Sequence, residues 1–440
     1  MGLSHIIKNK GPEQMKTLID EAKTLRRTLH QYPEVGFTEM ITTYLILKEI
    51  EDTSFTLYLG SDATDINAQM GRPSEAELLK ASERAESFGV DKDTLDKIRN
   101  GETGIVAVLD TGVEGPHVGF RFDIDGLPIT EAEKDSHIPF VEGFKSKHDG
   151  EMHACGHDAH ASIGVALLKY LDANKDELKG KYTIIFQAAE EGLRGANGYV
   201  QKGWLDTVDY FFTSHVGLVP FKVGTVNAKS KGFLSSKKFD VEFYGKSAHA
   251  GAEPNAGKNA LLAASNAAVN LNAISRHRDG ATRLNVGKLE AGSGRNVIPD
   301  YAFMMCEVRG EKDELTEYMY ERAEAVIKGA ALMYDCDYKI RLMGNASTAV
   351  CDDELVDLIK RATVNNSYIT QLNEEGPAGG SEDATYMINR VQKNNGKATY
   401  MTFPYELKAG HHHPEFDVDE EVLGVAISTY IDIVNELNKD

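Results

Sequence analysis

Apolar periodicity changes its order twice along this chain, and that order restricts the fold more than any single motif. TGIVAVLD (103–110) and HVGFRFDID (117–125) read as strands around an Asp/Gly-rich turn, and HASIGVALLKYLDANKDEL (160–178) as a helix. YTIIFQA (182–188) has the β-branched character of a strand buried in a sheet; GANGYVQKG is a short helix and YFFTSHV (210–216) a further strand. Strands alternating with helices predict an α/β fold, a mixed sheet in an α/β/α sandwich. From residue 237 the order becomes strand, helix (258–275), strand (282–291), strand (297–310), helix (313–334), strand (336–344). That is a ferredoxin-like α+β unit. A helix at 353–366, another opened by GGSEDATYM, the strand KATYMTF and a closing helix then return to α/β. The expected organisation is one discontinuous α/β domain, residues 1–231 and 346–440, interrupted by an inserted domain at 232–345. At 440 residues the chain is long enough for two cores. Before residue 103, an amphipathic helix (14–31), a helical stretch ITTYLILKEIE and a strand at 55–60 precede a helical, lid-like excursion over 61–100.

Composition narrows the partners. A net charge of −20 argues against nucleic acid and against anionic membranes. No apolar run approaches a membrane span, and the start, MGLSHIIKNKGPEQ, has no apolar core of a secretory leader. Cys155, Cys306, Cys336 and Cys351 are too scattered for a disulfide framework and fit a reduced, cytoplasmic setting.

The chemistry gathers at strand ends. FRFDID, MHACGHD, FQAAEEG, TSHVG and GHHHPEF each place donor-rich residues just after an apolar run, where open α/β sheets bind ligands. Thiolate, imidazole and carboxylate in MHACGHD suit a borderline-soft divalent ion, and the glycine lets two donors face it. A cysteine beside capping histidines is the structural alternative. Glu190-Glu191 follow a buried strand directly, so one carboxylate can bind a metal while its neighbour handles a proton. Asp123 and Asp125 share a strand face and can bind metal or orient imidazoles; a turn-capping role is the plain alternative. His249 lies in a Gly/Ala-rich turn, and Arg295 and Asn296 precede a strand.

Nine stretches, in order from residue 30 to 421, resemble the co-catalytic metallopeptidase/amidohydrolase family of aminoacylases, hippurate hydrolases, indole-acetyl-amino-acid hydrolases and carboxypeptidase G-type enzymes. They are HQYPEVGFTE, FRFDIDGLPITE, MHACGHDAHAS, FQAAEEGLRGA, SHVG, GKSAHAGAEPNAGKNALLAA, GSGRNVIP, GGSEDATYM and HHHPEFDVDEE. The resemblance implies metal ligands at Cys155, His157, Glu191, His215 and His412, with His411 and His413 as rivals for the last. It implies Glu190 as general acid/base, Asp123 as a site-orienting carboxylate, and residues 232–345 as a dimerisation or lid domain. It further implies that His249 reaches the partner protomer's site and that Asn296 contacts the oxyanion. Arg309, Arg295, and the backbone of Gly380 and Ser381 at a helix start are candidates for the substrate carboxylate. One departure is Ala188, where the family commonly has proline.

What the resemblance implies is metal-dependent hydrolysis of an N-acyl or N-aroyl amino acid with two divalent ions, manganese or zinc. The nearest branch points to p-aminobenzoyl-glutamate as first-choice substrate. A broader aminoacylase or dipeptidase is an alternative, and so is a non-catalytic subunit of a heteromeric hydrolase. The expected assembly is a homodimer or a heteromer with a related B subunit.

Overall fold

The computed structural model describes residues 11–439; the leader reading for the first ten residues therefore lies outside the described residues. Helix α1 (Pro12–Gln31) starts on Pro12, whose missing N–H is harmless in a first turn, and buries Leu18, Ala22, Leu25 and Leu29 along one stripe. Helix α2 (Met40–Ile50) and strand β1 (Thr56–Tyr58) follow. The excursion then holds α3 (Glu75–Phe88), opened by a Ser74/Glu77 capping box, and α4 (Lys92–Ile98), capped by Asp91. Its Ala81, Ala85, Leu95 and Ile98 pack on Met40 and Ile41 of α2.

Strands β2 (Ile105–Asp110) and β3 (His117–Asp123), the short helix α5 (Ile138–Val141), helix α6 (His157–Ala173), strand β4 (Lys181–Gln187), helix α7 (Ala196–Gln201) and strands β5 (Tyr210–Pro220) and β6 (Thr225–Lys231) come next. A second run contains β7 (Ser235–Tyr244), α8 (Ala260–Asn272), β8 (Thr282–Ala291), β9 (Tyr301–Gly310), α9 (Asp313–Met333) and β10 (Asp337–Ala346). The chain closes with α10 (Asp353–Ala362), β11 (Gln371–Pro377), α11 (Thr385–Lys393), β12 (Lys397–Tyr405) and α12 (Glu421–Leu437).

Two sheets result. The larger has the order β1-β2-β4-β3-β5-β12-β6-β11, and the smaller β10-β7-β9-β8, the ferredoxin-like order. Within the larger, β4, β3, β5 and β12 run parallel, so their carboxyl ends share one edge. Helices α1, α6, α10 and α12 cover one face with a core that includes Phe120, Phe122, Leu167, Ile427 and Tyr430. Helices α7 and α11 cover the other through Tyr199, Val200, Met387 and Ile388. Each such side chain contributes about 1.5–3 kcal/mol relative to exposure. Helix α6 lies so close to the sheet that a Cβ on Gly164 would stand 2.5 Å from the Phe122 ring.

Two strands escape a reading by apolar pattern. β11 is an edge strand with exposed Gln371, Glu374 and Glu375, and β6 carries Thr225, Asn227 and Ser230 inward. Among the described residues no helix is long and apolar enough to cross a membrane.

Candidate metal centre and catalytic turn

The shared edge of the four parallel strands collects the donors. The loop before α6 passes Cys155, turns at Gly156 (φ 95°), and enters the helix at His157. The turn needs glycine twice over: a Cβ there would also sit 2.8 Å from Val216. β5 supplies His215, β4 runs into Glu190-Glu191, and the loop after β12 supplies His411 and His412. That loop is tied to the cysteine loop by the His412 N–H donating to the Ala154 carbonyl at 2.8 Å.

Within this cluster the ligand atoms of Cys155, Glu191 and His412 lie within 4.8 Å of one another, as do those of His157, Glu190 and Glu191. Glu191 belongs to both groups. His157 Nε2 is buried with no hydrogen-bond partner in the described structure, while its Nδ1 is held by Asp125 at 3.1 Å. A buried imidazole nitrogen grouped with two carboxylates, with its other nitrogen fixed from behind, is the arrangement a metal-binding histidine requires. Cys155 also groups with His215 and His411, and His157 with His160 and His215, so the thiol, imidazole and carboxylate donors together fit a site for divalent ions.

Cys155 Sγ lies 3.4 Å from His215 Nε2 and 3.6 Å from His411 Nδ1. His215 Nδ1 donates to the Val216 carbonyl at 2.7 Å, so its Nε2 presents a lone pair to the cluster. His411 is wired the other way. The Leu218 N–H donates to its Nε2 at 3.0 Å, which leaves the proton of the neutral ring on Nδ1, facing Cys155. His412, in the left-handed region at φ 62°, brings Nε2 to 3.2 Å from Glu191 Oε1. His413 is exposed and accepts the Glu415 N–H at 3.1 Å.

The paired carboxylates are pushed apart. Burial, with Glu382, Glu191 and Asp383 nearby, drives Glu190 well above the usual carboxylate range. Burial also pushes Glu191 up, but the bond to His412 and the charge of His157 outweigh it and bring it below its ordinary value. Burial alone would lower His157, yet Asp123 and Asp125 raise it to about 10. A bound cation would take the place of that proton. Burial and the surrounding carboxylates keep Cys155 a thiol, a preference that a divalent cation inverts.

Asp123 and Asp125 are the aspartates expected to bind metal or orient imidazoles, whereas Arg121, Glu382 and Asp383 escape the sequence reading. Asp125 accepts from His157 Nδ1 and from the backbone N–H groups of Glu190 (3.1 Å) and Glu191 (3.0 Å). Asp123 instead accepts from His160 Nδ1 at 2.5 Å and from Arg121 at 2.8 Å. Fully buried Arg121 also reaches Glu382 and Asp383. These acids come from the GGSEDATYM stretch and stand beside Glu190. No periodicity in the sequence joins β3 to a loop some 260 residues later. Ala188, where the resemblance leads one to look for proline, donates its N–H to Tyr199 at 3.2 Å, a bond proline cannot make.

The remaining candidates on the smaller-sheet unit have no bond into the cluster among the described residues. His249 and Asn296 meet on a tip of the smaller-sheet unit, where the Ala250 N–H donates to the Asn296 carbonyl at 3.0 Å. Arg309 pairs with Glu307 on its own strand at 3.1 Å, and Arg295 is exposed in the β8–β9 loop. Gly380 and Ser381 occupy the loop between β11 and α11, and the helix begins only at Thr385. That corrects the reading of Gly380 and Ser381 as a helix start, because Glu382 and Asp383 are drawn down to Arg121 before the helix begins.

The sequence profile of peptidase family M20/M25/M40 matches residues 119–436. The chain is 43% identical to indole-3-acetyl-aspartic acid hydrolase of Enterobacter agglomerans over 95% of its own length and 96% of that protein. It is 43% identical to the A subunit of p-aminobenzoyl-glutamate hydrolase from Escherichia coli K12, over 92% and 93% of the two chains. The crystal structure of an aminobenzoyl-glutamate utilization protein from Klebsiella pneumoniae superposes with a TM-score of 0.82 at 36% identity, covering 96% and 97%.

Proposed function

The chain belongs to peptidase family M20/M25/M40 and is an amidohydrolase, and from that premise we propose that it cleaves N-acylated acidic amino acids carrying an aromatic acyl group, p-aminobenzoyl-glutamate first among them. The two relatives at 43% identity are named for indole-acetyl-aspartate and aminobenzoyl-glutamate. Both compounds join an aromatic acid to a dicarboxylic amino acid through one amide. That shared chemistry supports the class.

The observation that carries the mechanism is the placement of two carboxylates, Glu190 and Glu191, on one turn, where their ligand atoms and one of His157 lie within 4.8 Å of one another. Cys155, His157, Glu191, His215 and His412 would hold two divalent ions, manganese or zinc, which supply Lewis acidity to the amide carbonyl and to the attacking water. Glu190, raised by burial, accepts a proton from that water and returns it to the leaving amine. Asp125 fixes the His157 ring and the backbone of both glutamates, so the base and the ligand keep their relative positions.

The oxyanion donors come from the unit at 232–345. His249 Nδ1 accepts the Gly251 and Ala252 N–H groups at 3.2 and 3.0 Å, so the ring's proton sits on Nε2 and points away from its own turn. An exposed donor of this kind suits a second copy's site, with Asn296 beside it and residues 232–345 as the dimerisation unit. A heteromer with a related B subunit uses the same surface. Four cysteines without a disulfide fit a reduced cytoplasmic setting.

The test is hydrolysis of a panel: p-aminobenzoyl-glutamate, indole-3-acetyl-aspartate, hippurate and acetyl-amino acids. The expected order of kcat/KM places the two aromatic acidic conjugates first. Glu190→Gln is expected to lower kcat at least about a thousandfold with metal content unchanged. Full activity in that variant sinks the mechanism, and a preference for acetyl-amino acids sinks the substrate class.

A further inference from the structure

The turn that carries the two glutamates cannot hold its own shape. Ala189 (φ 54°), Gly192 (φ 91°) and Leu193 (φ 68°) all lie in the left-handed region, and two of the three have a Cβ. Such a turn persists only where its surroundings fix it. On the amino side Glu39 accepts the Ala189 N–H at 2.8 Å, and Asp125 takes those of Glu190 and Glu191. On the carbonyl side Arg194 donates from Nε to the Glu191 oxygen at 2.8 Å.

We propose that Arg194 is a positioning residue for the hydrolysis, clamping the Glu190-Glu191 turn to the loop that opens the 61–100 excursion; the proposal rests on the roles given above to those glutamates. Its Nη1 donates to the Gly71 carbonyl at 3.1 Å, and its guanidinium lies over the Phe37 ring at 5.4 Å. Gly36 leaves room for it, since a Cβ there would fall 2.3 Å from Nη2. The loop is further stitched to the segment after the glutamates: the Met70 N–H donates to the Arg194 carbonyl at 3.3 Å and the Asp65 N–H to that of Gly198 at 3.1 Å.

The exit of β10 meets the same point. A Cβ on Gly71 would stand 2.5 Å from the Met343 carbonyl, one on Gly344 would stand 1.9 Å from that of Gly192, and the Asn345 N–H donates to Leu193 at 3.0 Å. Excursion, glutamate turn and the connection from the smaller sheet thus converge on Arg194. Among the described residues no carboxylate lies within ion-pair reach of it, and its bonds go to backbone carbonyls. Two carbonyls fixed in two directions call for a planar fork, which lysine lacks. The excursion thereby braces the catalytic turn from outside the sheet.

The experiment uses the full chain with Arg194→Gln, Arg194→Lys and Gly71→Ala. Metal-stripped protein is titrated with Co²⁺ while the Cys155 thiolate charge-transfer band is followed, and kcat and KM are measured on p-aminobenzoyl-glutamate. All three variants are expected to bind Co²⁺ about tenfold more weakly, and to lose about tenfold in kcat with KM within about twofold. Arg194→Lys keeps the charge and is expected to fall with the others. Native Co²⁺ affinity and kcat in Arg194→Gln overturn the proposal. A change in KM alone overturns it too, by making Arg194 a substrate contact, as does a lowered melting temperature with Co²⁺ binding and kcat intact. A native chain that binds Co²⁺ but hydrolyses none of the amides removes the functional reading, while the affinity comparison still decides the clamp.

Discussion

Asp125 and His411 mark the limits of reading function from residue type. FRFDID offers two aspartates on one strand face, and only the folded positions divide them: Asp123 serves His160 and Arg121, Asp125 serves His157 and the glutamate turn. Three consecutive histidines present the same difficulty. All are competent ligands by type, and the backbone around them separates their roles. His411 has its Nε2 filled by the Leu218 N–H, and burial, with His412 close by, lowers it to about 4, so it stays neutral with Nδ1–H toward Cys155. His412 faces Glu191. His412→Ala is therefore expected to lose one of the two ions, with affinity down at least about a hundredfold, whereas His411→Ala keeps both with a loss of about tenfold or less. Metal content after exhaustive dialysis checks this, and equal losses from both variants would show that the Leu218 bond gives way when metal binds. Residue types at strand ends were thus legible in the sequence, but the wiring that sorts neighbours into ligand and support was not, because it depends on contacts between segments far apart in the chain.

At the scale of elements, strands and helices with strong periodicity read directly, and the βαββαβ run implies the ferredoxin-like order of the small sheet. Polar strands such as β11 did not, since an exposed edge needs no apolar alternation. Nor did the ionic network joining α1, α6 and α12. Arg26 bonds Asp158 at 2.9 Å and reaches Asp417 and Glu420, while His30 bridges Asp158 (2.8 Å) and Glu131 (3.0 Å). It ties the helix that begins at His157 to the loop that follows His412. Burial opposes the charge on His30, but Asp158 and Glu131 outweigh it and raise the ring from 6.5 to about 9. Burial likewise opposes Glu131, yet His137 and His30 bring it from 4.5 down to about 2, and Arg26 holds Asp158 well below its usual value. The signs follow from linkage. The raised histidine contributes stability in full below about pH 6.5, lost as pH rises through 9. The lowered carboxylates contribute above about pH 4.5, lost as pH falls. Denaturant unfolding is expected to show the native chain losing on the order of 2–3 kcal/mol between pH 6.5 and 9 relative to His30→Gln. A parallel pH profile in the two proteins would mean that His30 is not charged in the fold.

For the whole molecule, the question is whether one chain makes one site. The donors for two ions lie together at the edge of the larger sheet, whereas His249 and Asn296 sit on the smaller unit with no bond into that cluster in the described residues. Under the role proposed for His249, two arrangements would complete the site: closure of the smaller unit over its own sheet, or a second copy lending its tip. They separate in a mixing experiment. Glu190→Gln and His249→Ala are each expected to be inactive alone. If the tip acts across a twofold dimer, reassorted mixtures contain hybrid dimers in which one site has its own Glu190 and the partner's His249. Equal mixing with free exchange then restores about a quarter of native activity, because half the dimers are hybrid and half of their sites are whole. If His249 closes over its own chain, every site in every mixture still lacks one of the two residues, and activity stays at the level of the separate variants. The readout depends on no knowledge of the metal, so it judges the assembly independently of the ligand assignments.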